Sequence, residues 1–302
     1  MRLLLVASVA VLAAPVSSAH APLRWGATGH EMAARAAVSV LPSDVPAFFR
    51  SAGDQLVYLN PEPDRWRERG LVEMDQAWYY DHYIDLENVP EAALLAPDRF
   101  VYLQALYAAG LEKPERDAGF LPFRIVELHQ RLVTEWRLWR AERDPARRAW
   151  IEQRIVNDAG TLGHYVTDAS QPHHTTIHFN GWVAGSPNPE GYTLDRTFHA
   201  RFESAFVDAW VSQADVSRRV TGPPRSIMGS AVRPAVLEHI RASHAEVPTL
   251  YRLDRDSGFD TSRPAAPATR EFAAERLAAG ARMLADLWWS AWLESASGVA
   301  RP

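Results

Sequence analysis

The length, composition and charge of the chain set the first limits on its function. It has 302 residues, a formal net charge of −5 and no cysteine. The negative balance gives no bulk cationic attraction to nucleic acid or to an anionic lipid surface. Without cysteine the chain forms no disulfides, so any zinc site must use histidine and carboxylate ligands. A chain of this length can bury a large core and still form one domain.

The N-terminus has the pattern of an export signal. Met1 and Arg2 form a short positive segment, and residues 3–14 form an apolar run that is too short for a transmembrane helix. Small residues over 15–21 offer cleavage sites, so residues 1–21 are predicted to be a signal peptide. We therefore expect a secreted or periplasmic protein. No later run reaches the ~18 apolar residues that a transmembrane helix requires.

Helical periodicity dominates the rest of the chain, and strand-like alternation is scarce. The first helix is predicted to begin at Thr28 or Gly29. Residues 60–70 are expected to form a loop that leads to a short helix, and residues 179–194, rich in Gly, Pro and Asn, a long irregular loop. Further helices are predicted over 42–52, 97–110, 122–144, 145–169, 195–213, 231–247 and 269–297. The predicted fold is all-α, a single-domain helical bundle.

Residues 163–174, GHYVTDASQPHH, form the stretch most typical of a functional site. His164 and Asp168 are four residues apart, so they share one face of a helix. Pro172 ends that helix, because the residue before a proline avoids the α region and proline has no amide donor. His174 then lies on the turn beyond the helix. Three nitrogen and oxygen ligands divided across a helix end suit zinc.

This spacing also has an ordinary structural explanation. A lone His-x-x-x-Asp pair on a helix is more often a surface pair or a core histidine than a metal site. A second pair of the same kind, His199 and Glu203, lies on another predicted helical stretch and favours the metal interpretation. Upstream, His30, Asp64 and His82 stand in contexts that also suit ligands.

The other histidines are assigned mainly to structure. His129, His239 and His244 lie on predicted amphipathic helices, where a structural role is favoured. His173 and His178 lie beside the candidate ligands. The sequence leaves open whether these two support the ligands or lie on the surface.

The candidate ligands occur in an order that resembles the zinc-dependent phospholipase C / S1–P1 nuclease superfamily. In chain order the matching segments are Trp25-Gly26-x-x-Gly29-His30, PDRW with Asp64, HYID with His82, HxxxDxxQPxH from His164 to His174, and HxxxE from His199 to Glu203. The likeness runs from Trp25 to about Val207. The HxxxDxxQPxH motif is highly specific, and the ordered set adds to that specificity.

The resemblance implies a mostly helical bundle that holds three zinc ions at the floor of a cleft, within a zinc-dependent phosphoesterase domain over residues 25–298. By this resemblance, the first ion would be bound by Asp64, His82, His164 and Asp168. The second would be bound by His174, His199 and Glu203. The third would be bound by His30, by Asp168 as a bridging ligand, and by the backbone amine and carbonyl of Trp25.

The family cleaves phosphate esters, so the resemblance implies the same reaction, with a zinc-bound hydroxide as the nucleophile. Paired zinc ions ~4 Å apart lower the pKa of a bridging water toward ~7 and hold the oxygens of an in-line displacement. A third ion would stabilise charge on the leaving oxygen. Asp64 is the expected catalytic residue, because a carboxylate on the first ion is within hydrogen-bond reach of the attacking water.

The N-terminus departs from the family pattern. In the family the tryptophan is the first residue of the mature protein, and its free amine is a ligand. Here Arg24 precedes Trp25, whereas signal peptidase requires a small residue at that place. Either a second protease removes residues 22–24, or only the carbonyl of Trp25 remains as a ligand.

The sequence is divided over the substrate. The short spacing from Trp25 to His30 resembles the S1–P1 nuclease branch, and residues 269–297 are predicted to form a helix rather than the lipid-docking β-domain of the larger phospholipase toxins. Glu203 and the absence of cysteine resemble the phospholipases instead. The narrow preference is for a nuclease acting on single-stranded nucleic acid or 3′-nucleotides. The alternative is a phospholipase C acting on phosphatidylcholine-like lipids.

Aromatic residues near the motifs discriminate poorly between these substrates. A ring can stack on a base or hold a choline headgroup by a cation–π contact. The candidates, each more often explained by packing, are Trp66, Tyr79, Tyr80, Phe179 and Trp182. A third hypothesis is a zinc-holding structural or binding protein without catalysis, which predicts that protein ligands fill every coordination position. No protein partner is inferred.

Overall fold

A computed structural model describes residues 26–68 and 70–297. The α-helices in these ranges are α1 (Ala27–Ser39), α2 (Ala47–Ser51), α3 (Gly53–Leu59), α4 (Glu62–Arg65), α5 (Val72–Tyr79), α6 (Glu91–Leu94), α7 (Arg99–Ala108), α8 (Pro114–Asp117), α9 (Leu121–Ala141), α10 (Pro145–Asp168), α11 (Phe198–Ala200), α12 (Val207–Trp210), α13 (Gln213–Ser217), α14 (Val232–His244), α15 (Val247–Ser257) and α16 (Pro267–Glu294). Single 3₁₀ turns cover Tyr80–His82, Leu86–Asn88, Pro172–Thr175 and Gly229–Ala231, and Arg201–Phe206 is a π-helix.

The prediction of an all-α fold is confirmed for the described residues. They contain no β-strand, and their only bridge of that kind pairs Phe179 with Gly181. The helices share one hydrophobic core, to which α1, α9, α10, α14 and α16 contribute. No helix within these ranges combines the length and the apolar character needed to cross a membrane. The predicted signal peptide and Trp25 lie outside the described residues.

Helix α10 lies at the centre of the bundle. Every residue of its last three turns, 158–168, is buried, as expected for a helix enclosed on all sides. Its neighbours are α1, α3, α9 and α16. Gly160 allows α3 to approach closely, because a Cβ at this position would lie 2.4 Å from the Cβ of Leu59. The end of α3, and the residue that follows it, is thereby held against α10.

The ends of α10 agree with the proline pattern of the sequence. The side chain of Asp144 caps the first turn by accepting a hydrogen bond from the backbone N–H of Arg147 at 3.0 Å. Pro145 then occupies the first helical position, where its missing donor has no cost. The helix ends at Asp168, and Pro172 opens a separate 3₁₀ turn. This turn carries His174, as the sequence predicts.

The prediction of one helix over 195–213 is wrong in its detail. The segment is broken into α11, the π-helix Arg201–Phe206 and α12. A π-helix inserts an extra residue per turn, and such insertions occur mainly at functional sites. The short helix predicted after residue 70 corresponds to α5, whereas α6, α8 and α15 were not predicted, and α4 lies within the segment predicted as a loop. The irregular loop over 179–194 is confirmed, since it contains no helix.

Candidate metal centre

The candidate ligands come from seven secondary-structure elements. His30 lies in the first turn of α1, Asp64 on α4 and His82 in the first 3₁₀ turn. The remaining candidate ligands are His164 and Asp168 at the end of α10, His174 in the 3₁₀ turn Pro172–Thr175, His199 on α11 and Glu203 in the π-helix. The structure brings all eight side chains into three groups, in each of which the ligand atoms lie within 4.8 Å of one another.

Two of these groups share His164, and the third shares no member with them. One group contains His30, His164 and Asp168, and a second contains Asp64, His82 and His164. The third is formed by His174, His199 and Glu203. Only Trp25, the remaining predicted ligand, lies outside the described residues.

Asp168 stands between the histidines of the cluster. Its Oδ2 atom lies 3.1 Å from Nδ1 of His82 and 3.2 Å from Nε2 of His164. Its Oδ1 atom lies 3.2 Å from Nδ1 of His174 and 3.6 Å from Nε2 of His30. The two oxygens therefore face different histidines, which is the arrangement that a bridging carboxylate requires.

The third group depends on the π-helix. The Oε2 atom of Glu203 lies 2.8 Å from Nε2 of His199 and 3.5 Å from Nε2 of His174. The two histidine nitrogens are 3.1 Å apart. The side-chain amide of Gln171 donates a hydrogen bond to the same Glu203 oxygen at 3.2 Å. Gln171 of the QP motif thus orients Glu203, a candidate ligand.

These side chains fit metal ions. Two ligands bound to one tetrahedral zinc at its usual bond lengths stand ~3.3 Å apart, and the ligand atoms of the cluster are separated by 2.8 to 4.0 Å. Two buried polar atoms that face the described cluster have no hydrogen-bond partner: Nε2 of His30 and Oε1 of Glu203. Such atoms are costly to bury unless something binds them.

Backbone and amide oxygens fix how three of the histidines are turned. Nδ1 of His30 lies 3.0 Å from Oδ1 of Asn60, and Nδ1 of His164 lies 2.9 Å from the Asn60 carbonyl. Nδ1 of His174 lies 2.9 Å from the His82 carbonyl. A ring that donates through Nδ1 presents a bare Nε2 to a metal.

Sequence reasoning missed Asn60, which it placed at the start of a loop. The residue is fully buried. Gly163 provides the space for it, because a Cβ at Gly163 would lie 2.2 Å from Nδ2 of Asn60. The only sequence signal was a glycine directly before the His164 motif.

The carboxylates of the cluster differ in their pKa values. Burial opposes ionisation of Asp168, but His164 and His174 hold its pKa well below the usual value. Burial likewise opposes ionisation of Glu203, and His199 and His174 hold its pKa below the usual value. Burial raises the pKa of Asp64 to about 6. Despite burial, Asp168 raises the pKa of His174 to about 10, so an ion that binds there displaces a proton.

A cleft of about 300 Å³ opens beside the third group, with His174 and His199 in its wall. Tyr79 and Phe179 line it, whereas Trp66, Tyr80 and Trp182 are not among its lining residues. Trp66 packs on Trp78 with ring centroids 5.1 Å apart, and Trp182 stacks on His178 at 3.7 Å. Of the five aromatic candidates, two are therefore placed to meet a substrate.

The cleft also contains two carboxylates that sequence reasoning missed, Asp85 and Asp117. Burial, followed by the charges of Glu87 and Asp117, raises the pKa of Asp85 to about 8. The cleft wall also includes Arg116. Because burial is the main cause of this shift, Asp85 is protonated and uncharged at pH 7.

The neighbouring histidines have mostly structural places. His173 is fully buried against Phe198, with ring centroids 4.8 Å apart, so its alternative assignment to the surface is wrong. Nδ1 of His178 accepts a hydrogen bond from the backbone N–H of Val183 at 3.0 Å. His129 is buried 3.8 Å from Glu294, and a ring nitrogen of His244 lies 2.9 Å from the Thr175 carbonyl.

Comparison with known proteins adds one structural likeness. No family model matches the sequence, and no curated protein matches it. The chain is similar to the crystal structure of Clostridium perfringens alpha-toxin isolated from avian strain SWCP, with a TM-score of 0.41 and 13% identity. The match covers 90% of this chain and 64% of that chain, so the chain spans less than two thirds of the toxin's length. The fold and the site define an all-helical protein with three buried His/Asp/Glu groups that can hold metal ions.

Proposed function

We propose that the protein is a zinc-dependent hydrolase of phosphoric esters, of the phospholipase C / S1–P1 nuclease type. The observation that carries this proposal is the position of Asp168, whose two oxygens contact histidines of all three buried ligand groups, beside an open cleft that His174 and His199 line. When bound, closely spaced zinc ions activate water and stabilise the charge of a phosphoryl group. The order of the ligands along the sequence supports the same assignment.

The number of ligands favours catalysis over a purely structural zinc site. Structural zinc is usually enclosed by four protein ligands, whereas catalytic zinc has three and keeps an open position. His174, His199 and Glu203 supply three ligand side chains. Both of these histidines also line the cleft, so that group is accessible to a small molecule.

Asp64 is the residue that we propose as general base. Its Oδ1 atom lies 4.0 Å from Nδ1 of His82 and 4.0 Å from Nε2 of His164, at the edge of its group. Its pKa of about 6, raised by burial, is close to the range in which a group can accept and release protons at neutral pH. Bound cations would lower this value.

The lining of the cleft supports a substrate with a cationic headgroup. Asp117 and the ring of Tyr83 lie in the cleft wall, together with Asp85, whose pKa of about 8 keeps its carboxyl group protonated at pH 7. The Asp117 carboxylate and an aromatic ring attract a quaternary ammonium group, by Coulomb and cation–π interaction. We therefore propose a phospholipase C activity on phosphatidylcholine-like lipids, which reverses the narrow preference that the sequence gives.

A nuclease is the second candidate. Phe179, at 41% exposure, is an exposed ring in the cleft wall that could stack on an unpaired base. Arg116, in the same wall, could contact a phosphate.

A substrate panel tests both candidates. The zinc-loaded mature protein is incubated with phosphatidylcholine, single-stranded DNA, RNA and 3′-nucleotides, with chelated protein as the control. Release of phosphocholine without cleavage of the nucleic acids supports the phospholipase. The reverse result supports the nuclease and overturns the cleft argument. No turnover of any substrate by fully loaded protein would overturn the enzyme proposal in favour of a zinc-holding protein.

We also propose that the mature domain, residues 25–298, is exported and that Trp25 is its first residue. A Cβ at Gly26 would lie 3.4 Å from Oγ of Ser204, which is adjacent to Glu203. His30 lies one turn further along α1. The described chain therefore begins beside the metal centre, which supports a ligand role for the residue before Gly26.

A further inference from the structure

The turn that carries His82 is held by a segment that contains no candidate ligand, residues 118–127. Gly119 brings the two backbones into contact. A Cβ at this position would lie 2.2 Å from the carbonyl oxygen of Tyr83, and the backbone has a φ of +78°. Only glycine combines this approach with this conformation.

Backbone hydrogen bonds attach the same segment on both sides of His82. The N–H of Phe120 donates to the carbonyl of Tyr80 at 2.8 Å, and the N–H of Leu121 donates to the carbonyl of Tyr83 at 3.2 Å. Leu121 is the first residue of α9, so its N–H has no partner within the helix. The start of α9 is thereby joined to the turn before and after the candidate ligand.

A buried ion cluster adds a side-chain attachment. Asp81, directly before His82, is buried, and its Oδ2 atom accepts a hydrogen bond from Nε of Arg124 at 2.6 Å. Its Oδ1 atom accepts one from a terminal nitrogen of Arg99 at 3.1 Å. Arg99 also donates to both oxygens of Glu127, at 2.7 and 2.6 Å. Two guanidinium groups and two carboxylates therefore balance in charge, which compensates the burial of Asp81.

The same turn links two of the ligand groups. His82 belongs to one group and His174 to another. Nδ1 of His174 lies 2.9 Å from the carbonyl oxygen of His82, and the N–H of Ile84 donates to the carbonyl of His174 at 2.9 Å. A displacement of the turn would therefore move the first histidine and reorient the second.

We propose that Arg124 is a positioning residue of the metal centre. Through Asp81 it sets the place of His82, and through the carbonyl of His82 it sets the orientation of His174. The ion pairs of Arg124 are with Asp81 and Glu127, so it acts on the centre only through other residues. This inference rests on the proposed function, because it requires these histidines to bind metal.

Competition for zinc with a chromogenic chelator tests the inference without measuring turnover. Arg124→Gln should weaken the binding of two of the three expected ions, those of the groups that contain His82 and His174. The expected factor is about 10- to 100-fold for each ion, the scale found when a group that orients a metal ligand is removed. The visible spectrum of the cobalt-substituted protein should change as well, because it depends on the arrangement of the ligands.

Arg270→Gln is the matched control. Arg270 donates to Oδ2 of buried Asp215 through Nε at 3.0 Å and through a terminal nitrogen at 2.6 Å. Arg124 presents the same two donors to Oδ2 of Asp81. The control pair joins α13 to α16, which carry no candidate ligand. This variant should therefore lose a similar ion pair and bind zinc as the wild type does.

A second variant covers the possibility that Arg124→Gln does not fold, since Arg124 is only 14% exposed. Arg124→Lys keeps a cation beside Asp81 but lacks the planar pair of donors. Its zinc affinity should lie between those of the wild type and Arg124→Gln, with circular dichroism as the check on folding.

Three results would overturn the inference. Wild-type zinc affinity in the folded Arg124 variants would exclude the positioning role and leave the metal centre intact. Equal weakening in Arg270→Gln would show that zinc affinity follows general stability. Failure of the wild type to bind zinc at all would overturn the proposed metal centre, and this inference with it.

Discussion

Replacing Asp168 with alanine is expected to remove two metal ions, whereas replacing Glu203 with alanine removes mainly one. The reason is the position of the two carboxylates. Oδ2 of Asp168 faces His82 and His164, and Oδ1 faces His30 at 3.6 Å. Glu203 contacts ligands of a single group.

The magnitude follows from the role of each carboxylate. Loss of a group that only orients a metal ligand weakens binding 10- to 100-fold, so loss of a direct ligand should weaken it by at least that much. At a free zinc concentration ten times the Kd of the wild type, a site weakened ~100-fold falls from ~0.9 to ~0.1 occupied. Asp168→Ala should then lose about 1.6 equivalents of zinc, from two of the three expected sites.

The assay is elemental analysis of each variant after equilibration in a zinc buffer. Circular dichroism shows whether the variant is folded, and Asp168→Asn, which keeps the shape of the side chain, serves as a milder second change. Equal single losses from Asp168→Ala and Glu203→Ala would refute the bridging assignment. Retention of all zinc in Asp168→Ala would refute the whole metal centre.

Four further predictions follow from other parts of the structure. Asp64→Asn keeps the shape of the side chain but removes the proposed base, and turnover should fall at least ~10²-fold; a fall within twofold at full zinc occupancy would exclude the role. Gly163→Ala places a Cβ 2.2 Å from Nδ2 of Asn60. We therefore expect the free energy of unfolding, measured by thermal denaturation, to fall by about 1–3 kcal/mol, together with weaker zinc binding. Burial, followed by the charge of Asp158, raises the pKa of Glu135 from 4.5 to about 8. Between these two pKa values the folded state therefore binds more protons than the unfolded state. The free energy of unfolding should fall as the pH rises through this range, by up to ~1.4 kcal/mol per pH unit. Glu135→Gln should flatten this slope in pH-dependent unfolding, and an unchanged slope would contradict the assignment. Mass spectrometry of the secreted protein should find Trp25 as the first residue; a fully active product that begins earlier would show that its amine is not needed.

The candidate ligands could be predicted because the residue types and spacings that mark them lie close together in the sequence. His164 and Asp168 share a helix face by their spacing alone, and Pro172 marks where that helix ends. Both features depend on contacts within a few residues of one another. The all-helical fold was predictable for a similar reason, since periodicity acts over one or two turns.

The supports of the ligands could not be predicted in this way. Asn60 orients His164 across a separation of 104 residues, and it does so with a backbone carbonyl that every residue possesses. The π-helix around Glu203 was missed because its sequence has ordinary helical periodicity. The carboxyl groups of the cleft, Asp85 and Asp117, converge only because the turn at Asp85 packs against the end of α8. Each of these features is a product of tertiary packing.

The two aspartates of the cluster have different surroundings, which supports the two different roles proposed for them. Asp168 lies among His164 and His174, which hold its pKa well below the usual value against the effect of burial, so it stays charged and suits a permanent ligand. Burial raises the pKa of Asp64 to about 6, so its carboxylate accepts a proton more readily than that of Asp168. Bound cations would lower both values, yet Asp168, whose oxygens lie nearer to the histidines, would remain the stronger acid. When two neighbouring carboxylates have different pKa values, the stronger acid is suited to metal binding and the weaker acid to proton transfer. This difference, rather than the shared chemistry of the two side chains, is the physical reason to assign proton transfer to Asp64.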